Sequence, residues 1–480
     1  MTEVKNDQIS VNLNVEGLAT DTIQFCFPKI VPGIYGAMNY GNSVEEIIFK
    51  NDRGDILLNK KLGENCWELY EAKSLSEITY KVNDNWEEFD ATLKGFYHSA
   101  SSSFKEDVFV INGNTLFGYF RNYQAFPIQV KVKKTQKMSA ATSLPIKEAT
   151  HFNDVFYAKS YNQLVDNPIL YSIPDTTSIK LPNINVKVAC YSTTATPIAN
   201  EIAEHIKPLL TNQSKYLGDK LPVSQYTFII YHSLAKDYES FFADGLEHSN
   251  STLILLNSPL DIETIKNTVY GIASHEFFHI LMPLGIHSYE IADYDFNEPK
   301  FSKHLWLYEG MTEYFTIHMP IKNGLQSFNE FTKVIEGKHS KMQKFNNKLA
   351  ITDLSINSMD MQDQYYNVYL KGALINLCLD IELREFSNGT FGTQELVLEL
   401  LNKYGPNKAF EDDKLFEEIE KITGHSQLNG FFKKYVAGNA QLPLKEYLFK
   451  VGLALNGDSI KEVENLSVEQ KKLRKYWIGQ

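Results

Sequence analysis

The sequence predicts a multidomain α+β protein: an N-terminal β-rich, sandwich-like domain, then a mixed α+β domain, then a C-terminal α-helical domain. Short alternating apolar runs fill residues 1–170, whereas apolar positions three and four apart fill residues 326–480. Strands and helices alternate in between, over residues 171–325. With 480 residues, 43% of them hydrophobic, each part is long enough to bury its own core.

The first 170 residues contain several strand signals. Apolar and polar residues alternate over Ile9–Val15, Thr22–Phe27 and Glu77–Val82, which predicts strands with one buried face. Asn51-Asp52-Arg53-Gly54 predicts a hairpin turn between two such runs. Many short strands with turn residues between them favour a sandwich or an open sheet.

The middle region contains three strongly apolar, β-branched or aromatic runs. They predict buried strands at Val186–Tyr191, Thr227–Tyr231 and Thr252–Leu256. A helical pattern over residues 197–217 separates the first two.

Two further helices are predicted in this middle region. Ser258-Pro259 predicts an N-cap followed by proline at the first helical position. The helix that begins there should run to about Leu281, where Pro283 stops it. A second helix is predicted at Ser302–His318.

The last third of the chain is predicted to be helical. The apolar spacing indicates helices at Phe328–Lys344, Tyr365–Phe386, Thr393–Lys403, Asp412–Ile422 and Leu444–Val451. The basic closing stretch, Val468–Tyr476, is expected to be a solvated helix rather than a binding arm.

Charge and composition exclude some function classes. The formal net charge is −12 with no basic stripe, which argues against nucleic acid or an anionic membrane surface as a partner. No apolar run approaches the ~20 residues of a membrane segment. Residues 1–20 contain no hydrophobic signal core, so the protein is expected to be cytoplasmic, or exported with its signal peptide absent from this chain. The four cysteines are expected to be separate buried thiols.

The most informative motif is His-Glu-Phe-Phe-His at residues 275–279. On a helix, His275 and His279 lie one turn apart on the same face, so both imidazoles can bind one ion. A catalytic zinc site uses three protein ligands and leaves a position for water. The pattern therefore predicts one Zn²⁺ ion, and Glu276 beside the histidines is the expected general base for that water.

A third ligand must come from elsewhere in the chain. Glu309, in Leu-Trp-Leu-Tyr-Glu-Gly at 305–310, is the best candidate, with Glu313 and Glu298 as rivals. Glu313 is instead assigned to a hydrogen bond with the outer ring nitrogen of His275, since metal-bound histidines usually donate to a carboxylate or carbonyl.

Two further segments are candidates for substrate contacts. Gly245-Leu246-Glu247-His248 leads into the run Thr252–Leu256, where an edge strand can hold an extended peptide. Gly245 and Glu247 are the predicted substrate-binding residues, and Glu247 would face an N-terminal ammonium group. A tyrosine could donate to the oxyanion of the transition state. Tyr369 is the candidate, with Tyr365 and Tyr366 as competitors.

These segments together resemble the glycyl aminopeptidases, zinc peptidases of the gluzincin, thermolysin-like clan. The resemblance is carried by Pro32-Gly33-Ile34-Tyr35, Ile111-Asn112-Gly113, Gly245-Leu246-Glu247-His248, Ser274–His279, Leu305–Thr312, Tyr369-Leu370-Lys371-Gly372 and Tyr435–Gly438 with Leu442-Pro443.

The resemblance implies that His275, His279 and Glu309 bind zinc and that Glu276 is the general base. It also implies that Glu247 anchors the substrate amine and that Tyr369 stabilises the transition state. The expected fold is an N-terminal β domain, a thermolysin-like catalytic domain and a helical C-terminal domain.

The resemblance further implies an aminopeptidase that prefers small N-terminal residues such as Gly or Ala. Its expected substrates are peptides with a free N-terminus, and its expected mechanism is Glu-assisted attack of zinc-bound water. Alternatives are a zinc endopeptidase of the same clan and a catalytically silent, zinc-stabilised peptide-binding protein. The segment Ile280–Pro283 departs from the family pattern, which affects the expected pocket shape. Many members carry a PDZ domain after the helices, so this chain is expected to be a shorter member or part of a longer protein.

Overall fold

The computed structural model describes residue 4 and residues 7–86, 97–194, 196–234, 242–257 and 261–479. Two compact units form, each from separate stretches of chain. The first unit contains Met1–Ile206, Gln225–Ile272 and Asp295–Pro299, and the second contains Lys207–Ser224, Ala273–Tyr294 and Lys300–Gln480. The predicted boundaries at 170 and 325 divide the chain in another way, into contiguous domains, and they stay a prediction. No helix in the described ranges is long and apolar enough to cross a membrane.

The first unit is built mainly of strands, as predicted. The strands of its first half are β1 (Gln8–Asn14), β2 (Thr22–Cys26), β3 (Val44–Asn51), β4 (Asn59–Leu62), β5 (Cys66–Tyr70), β6 (Leu75–Asn83), β7 (Ser103–Phe104), β8 (Phe109–Ile111) and β9 (Tyr119–Phe120). Those of its second half are β10 (Ile128–Lys133), β11 (Ser139–Ala141), β12 (Ile146–Ala149), β13 (Asn153–Ala158), β14 (Ile169–Ser172), β15 (Thr176–Leu181), β16 (Ile184–Ser192), β17 (Gln225–Ser233), β18 (Phe242–His248) and β19 (Ser251–Asn257).

These strands form five sheets in the first unit. Their strand orders are β1-β6-β3, β4-β5-β2-β9, β10-β13-β12, β11-β14-β8-β7 and β15-β16-β17-β19-β18. The predicted hairpin turn after β3 is confirmed: the amide of Asn51 donates to the carbonyl of Asp55, and Gly54 has a φ of +85° that favours glycine. A core cluster lies between the fourth and fifth sheets, formed by side chains such as Val110, Leu170, Ile229 and Leu253.

The fifth sheet explains the three apolar runs of the middle region. Strands β16, β17 and β19 are parallel neighbours, and every residue of β19 is buried. Parallel strands covered on both faces need such continuous apolar runs. Strands β15 and β18 pair antiparallel with the two outer parallel strands and are the edges of the sheet.

The expectation of four separate thiols is wrong for two of the cysteines. Cys26 on β2 and Cys66 on β5 face each other across the antiparallel pair, with 4.1 Å between their Cα atoms, and form a disulfide. Alternation along each strand does not show which residues are paired across strands, so the sequence spacing of 40 residues contained no signal for this bond. Cys190 and Cys378 are buried free thiols, as expected.

The second unit is largely helical, as predicted. Two short helices, α1 (Gly113–Leu116) and α2 (Tyr161–Val165), belong to the first unit. Helices α3 (Ala199–Tyr216) and α4 (Ile262–Glu276) each begin in the first unit and end in the second. The remaining helices are α5 (Tyr289–Ala292), α6 (Leu305–Lys322), α7 (Phe328–Met342), α8 (Ile351–Ile356), α9 (Gln362–Tyr365), α10 (Asn367–Phe386), α11 (Thr393–Lys403), α12 (Leu415–Thr423), α13 (Leu428–Tyr435), α14 (Leu444–Lys450) and α15 (Val468–Ile478). A hairpin of β20 (Leu453–Asn456) and β21 (Ser459–Glu462) was not predicted.

The closing helix α15 differs from the solvated helix that its basic composition suggested. Trp477 and Ile478 are fully buried, and Arg474 is buried with its guanidinium hydrogen-bonded to the carbonyls of Val451 and Gly452. Charged side chains cover the outer face of α15, whereas its last turn is part of the core of the second unit. The predicted N-cap at Ser258-Pro259 lies outside the described residues.

Candidate metal centre

Helix α4 ends between the two histidines of the motif. His275 is in the last turn of α4, and residues 277–280 continue as a 3-10 turn that contains His279. The amide of Leu281 donates to the carbonyl of Phe278, three residues back, and Pro283 has no amide hydrogen with which to continue a helix. The α-helix therefore ends at Glu276, five residues before the predicted end near Leu281, and the 3-10 turn continues to Ile280. The two imidazole rings lie 4.8 Å apart, centre to centre.

Three ligand atoms converge at this point. Nε2 of His275 lies 3.1 Å from Nε2 of His279, and Oε2 of Glu309 lies 3.3 Å and 3.5 Å from these two nitrogens. Ligands held at about 2.05 Å in a tetrahedral arrangement are separated by about 3.3 Å, which matches this triangle. The donor set of two imidazoles and one carboxylate also suits a catalytic zinc ion. The residues therefore fit the predicted metal.

Both imidazoles are oriented by a hydrogen bond at the outer nitrogen. Nδ1 of His279 lies 2.9 Å from the carbonyl oxygen of Met282, and Nδ1 of His275 lies 2.9 Å from Oε2 of Glu313. Donation from Nδ1 leaves the lone pair of Nε2 directed at the centre of the triangle. The predicted contact between Glu313 and His275 is thus present in the structure.

Electrostatics keep the two carboxylates ionised. Burial raises the pKa of Glu313, but His275 and Lys338 outweigh it and lower that pKa to about 2. Burial also opposes ionisation of Glu309, whose pKa is nevertheless held below its ordinary value by the charge of His279 and by the hydrogen bond from His275 when these imidazoles are protonated. Both residues are therefore acceptors at neutral pH.

The rival third ligands occupy other positions. The carboxylate of Glu298 forms an ion pair with Arg121 at 3.0 Å within the first unit. Glu313 contacts the outer nitrogen of His275 rather than the nitrogen that faces the triangle. A carboxylate oxygen of Glu276 lies within 4.8 Å of a ring nitrogen of His279, beside the triangle but outside it.

Of the three candidate tyrosines, Tyr369 lies against the centre. Its ring is 5.8 Å from the ring of His275, centre to centre. The hydroxyl of Tyr365 lies 3.3 Å from that of Tyr369, and Tyr366 is 53% exposed. The sequence could not choose among the three, because all lie within one helical turn or so of each other.

Gly245 and Glu247 lie on strand β18 of the first unit. They pair with Ile254 and Thr252 of β19, respectively. The edge strand of the sheet is thus the Gly-Leu-Glu-His segment itself, and not Thr252–Leu256, which is covered on both sides. The sequence pattern missed this because the alternation of β18 is interrupted by glycine.

Sequence reasoning also missed one charged contact. Nζ of Lys338, on α7, donates to Oε1 of Glu313 at 2.5 Å and is largely buried. Lys338 follows Glu313 by 25 residues on a different helix, so no local spacing rule relates them. Glu313 is therefore held from both sides, by His275 and by Lys338.

Comparisons with known proteins agree with this site. Residues 1–173 match the model of the Peptidase M61 N-terminal domain, and residues 268–375 match that of the M61 glycyl aminopeptidase. The second range contains all three residues of the triangle. No curated protein matches the chain.

Solved structures share the fold. An aminopeptidase N family protein from Idiomarina loihiensis superposes with a TM-score of 0.79 at 20% identity, covering 94% of this chain and 77% of that one. An M1 zinc metallopeptidase mutant from Deinococcus radiodurans, bound to a Tyr-Ser-Ala substrate, gives a TM-score of 0.54 at 11% identity, with 91% of each chain covered. These neighbours support a multidomain peptidase fold with a β-rich N-terminal and a helical C-terminal part. Because two models of one family together match more than half of the sequence, the chain belongs to the M61 glycyl aminopeptidase family and is a metallopeptidase.

Proposed function

We propose that this protein is a zinc aminopeptidase that hydrolyses the N-terminal peptide bond of peptides whose first residue is small, Gly or Ala. The observation that carries the proposal is the triangle of His275, His279 and Glu309, whose spacing is that of a tetrahedral metal site with one position left for substrate or water. Family membership supports the aminopeptidase activity and the preference for glycine.

The metal would be held by the three atoms of the triangle. Bound zinc supplies a Lewis acid that lowers the pKa of a water molecule to about 7. The burial of Glu309, at 4% exposure, and of His279, at 2%, excludes competing solvent from this side of the centre. Glu313 and the carbonyl of Met282 fix the tautomers that this binding requires.

Glu276 is proposed as the general base. It follows the ligand His275 directly, and its carboxylate lies beside the triangle without being part of it. It would accept the proton of the attacking water and return it to the nitrogen of the peptide bond that breaks, so the leaving product is a neutral amine. Tyr369, whose ring lies against His275, would donate its phenolic hydrogen to the oxyanion that forms from the substrate carbonyl.

Strand β18 is proposed to bind the substrate. As an edge strand it offers main-chain groups for an extended peptide, and Gly245 lets that peptide approach closely. Glu247 follows Gly245 by two residues and lies on the same face of the strand, where it would hold the N-terminal ammonium group.

We further propose that residues 171–325 form the thermolysin-like catalytic domain, flanked by domains at 1–170 and 326–480.

The first test separates a catalytic from a silent zinc protein. Glu276→Gln should keep the zinc content of the wild type and lose hydrolysis by about 10²–10⁴-fold, because the proton acceptor is gone. Glu263→Gln is the matched control, since Glu263 lies in the first turn of the same helix and is solvent-exposed. Wild-type protein that contains zinc and cleaves nothing from a broad peptide panel would refute the proposal.

The second test separates an aminopeptidase from an endopeptidase. A Gly- or Ala-initiated peptide is compared with its N-acetylated twin at equal concentration. Only the free-amine form should be cleaved, and Glu247→Gln should weaken its binding selectively. Equal cleavage of both peptides would show an endopeptidase that does not use Glu247 as an amine anchor.

A further inference from the structure

A tight turn from the N-terminal region is built around one glycine. The amide of Ile34 donates to the carbonyl of Val31 at 3.2 Å, which closes a turn with Pro32 and Gly33 at its centre. Gly33 has a φ of +84°, as the third position of a type II turn requires. Val31 and Ile34 are buried, so the first unit holds the turn at both ends.

Gly33 packs directly against Glu247. A Cβ atom added to Gly33 would lie 3.1 Å and 3.2 Å from the two carboxylate oxygens of Glu247 and 2.7 Å from Cδ1 of Leu246. The two oxygens are almost equally distant, so the carboxylate group as a whole rests against the turn. Any side chain at position 33 would occupy space that the carboxylate now fills.

We propose that Gly33 is a positioning residue for the substrate amine, and that the turn Val31–Ile34 sets where the carboxylate of Glu247 is presented. This inference rests on the proposed role of Glu247. The atoms that a new methyl group would meet are the free ends of two side chains, not backbone. The carboxylate oxygens would move by a few tenths of an ångström and Cδ1 of Leu246 by about 1 Å, which the ends of side chains can do without unfolding the turn, so the substitution should alter amine binding while the protein still folds.

The chain offers a matched control. Gly54 has a φ of +85°, nearly the same as Gly33, but an added Cβ there would meet nothing within 4 Å. Because the two φ angles are nearly equal, alanine should cause about the same backbone strain at either position. Only alanine at position 33 should also disturb Glu247.

The experiment measures kcat and KM for Gly- and Ala-p-nitroanilide with the full-length zinc enzyme. Gly33→Ala should raise KM about tenfold, as expected when a charge-assisted hydrogen bond is partly lost, with kcat changed much less. Gly54→Ala should leave both constants unchanged. In a Glu247→Gln background, Gly33→Ala should have no further effect on KM, because the group that it displaces no longer binds the amine.

The outcomes distinguish this inference from the proposed function. If the wild type cleaves free-amine peptides and not their N-acetylated twins, but Gly33→Ala behaves like Gly54→Ala, the inference is overturned and the proposed function stands. If the wild type does not discriminate between the two peptides, the role of Glu247 fails and the inference fails with it.

Melting temperatures provide a measurement that does not depend on activity. Gly33→Ala should destabilise the protein more than Gly54→Ala does, because the added methyl group meets both Leu246 and Glu247. Leu246→Ala removes the nearer contact, so the excess that remains in that background is due to Glu247 and should disappear when Glu247→Ala is added. If Gly33→Ala does not fold, the triple variant should fold, and an excess loss that persists in it would overturn the inference.

Discussion

Helices α6 and α10 touch through two glycines, and this contact lies beside the candidate centre. Gly310 follows the ligand Glu309 directly, and Gly372 is three residues after Tyr369. A Cβ atom added to Gly310 would lie 2.7 Å from both Cα and the carbonyl carbon of Gly372. Asn376 bridges the same two helices, since its side chain donates to the carbonyls of Trp306 and Gly372.

The substitution Gly310→Ala should therefore separate the two helices. Carbon atoms pack at about 3.5–4.0 Å, so the helices would have to move apart by about 1 Å. Overpacking of this kind lowers the free energy of unfolding by about 1–3 kcal/mol, and the better helix propensity of alanine offsets about 1 kcal/mol of that loss. A displacement of about 1 Å between catalytic groups costs about 10²-fold in rate. We expect a modest loss of stability together with a fall in kcat of about 10²-fold.

The assay combines kcat on an Ala-initiated substrate, zinc content and denaturant unfolding. Gly372→Ala should behave similarly, because its Cβ would meet Cα of Gly310 at 2.8 Å. Gly430→Ala, on the exposed side of α13 with nothing within 4 Å, is the control and should be neutral or slightly stabilising. A Gly310→Ala enzyme with full zinc and wild-type kcat would refute the reasoning that this contact sets the geometry of the site.

Three further predictions follow from contacts described above. Lys338→Met should weaken zinc binding about tenfold in a chelator competition, because Glu313 loses one of its two partners; Lys333→Met, exposed on the same helix, should not. Replacement of both Cys26 and Cys66 by serine should lower the free energy of unfolding by about 4 kcal/mol, the loop-entropy value for a closed loop of 40 residues, as measured by denaturant titration. Burial lowers the pKa of His318 to about 4, whereas an unfolded histidine titrates near 6.5. The unfolded chain then takes up this proton first as the pH falls from 6.5 to 4, so about 3 kcal/mol of stability is lost over that window, and His318→Gln should flatten this part of a stability-against-pH curve.

Residues 275–279 show what the sequence could predict about the site. A local spacing placed His275 and His279 on one helical face, and the structure keeps their Nε2 atoms 3.1 Å apart although the second lies in a 3-10 turn. Local patterns also located α6 and the parallel strands, since both depend on residues close together in sequence.

Contacts between distant segments were beyond the reach of such patterns. The pairing of Cys26 with Cys66 depends on strand register, and the contact of Lys338 with Glu313 depends on how α7 packs on α6. The burial of Trp477 was hidden by the basic residues around it, because periodicity does not show which partner a helix packs against. The choice of Tyr369 over Tyr365 likewise needed the packing of α10 against His275.

The closing helix has a consequence for how the enzyme is made. His318 and Lys322, on the helix that carries Glu309, both hydrogen-bond to the carbonyl of Trp477, and 159 residues separate His318 from Trp477. At roughly 5–20 residues per second, a ribosome needs about 10–30 s to cover that distance. During this interval α6 lacks its hydrogen bonds to Trp477, so we expect a nascent chain stalled before α15 to be inactive.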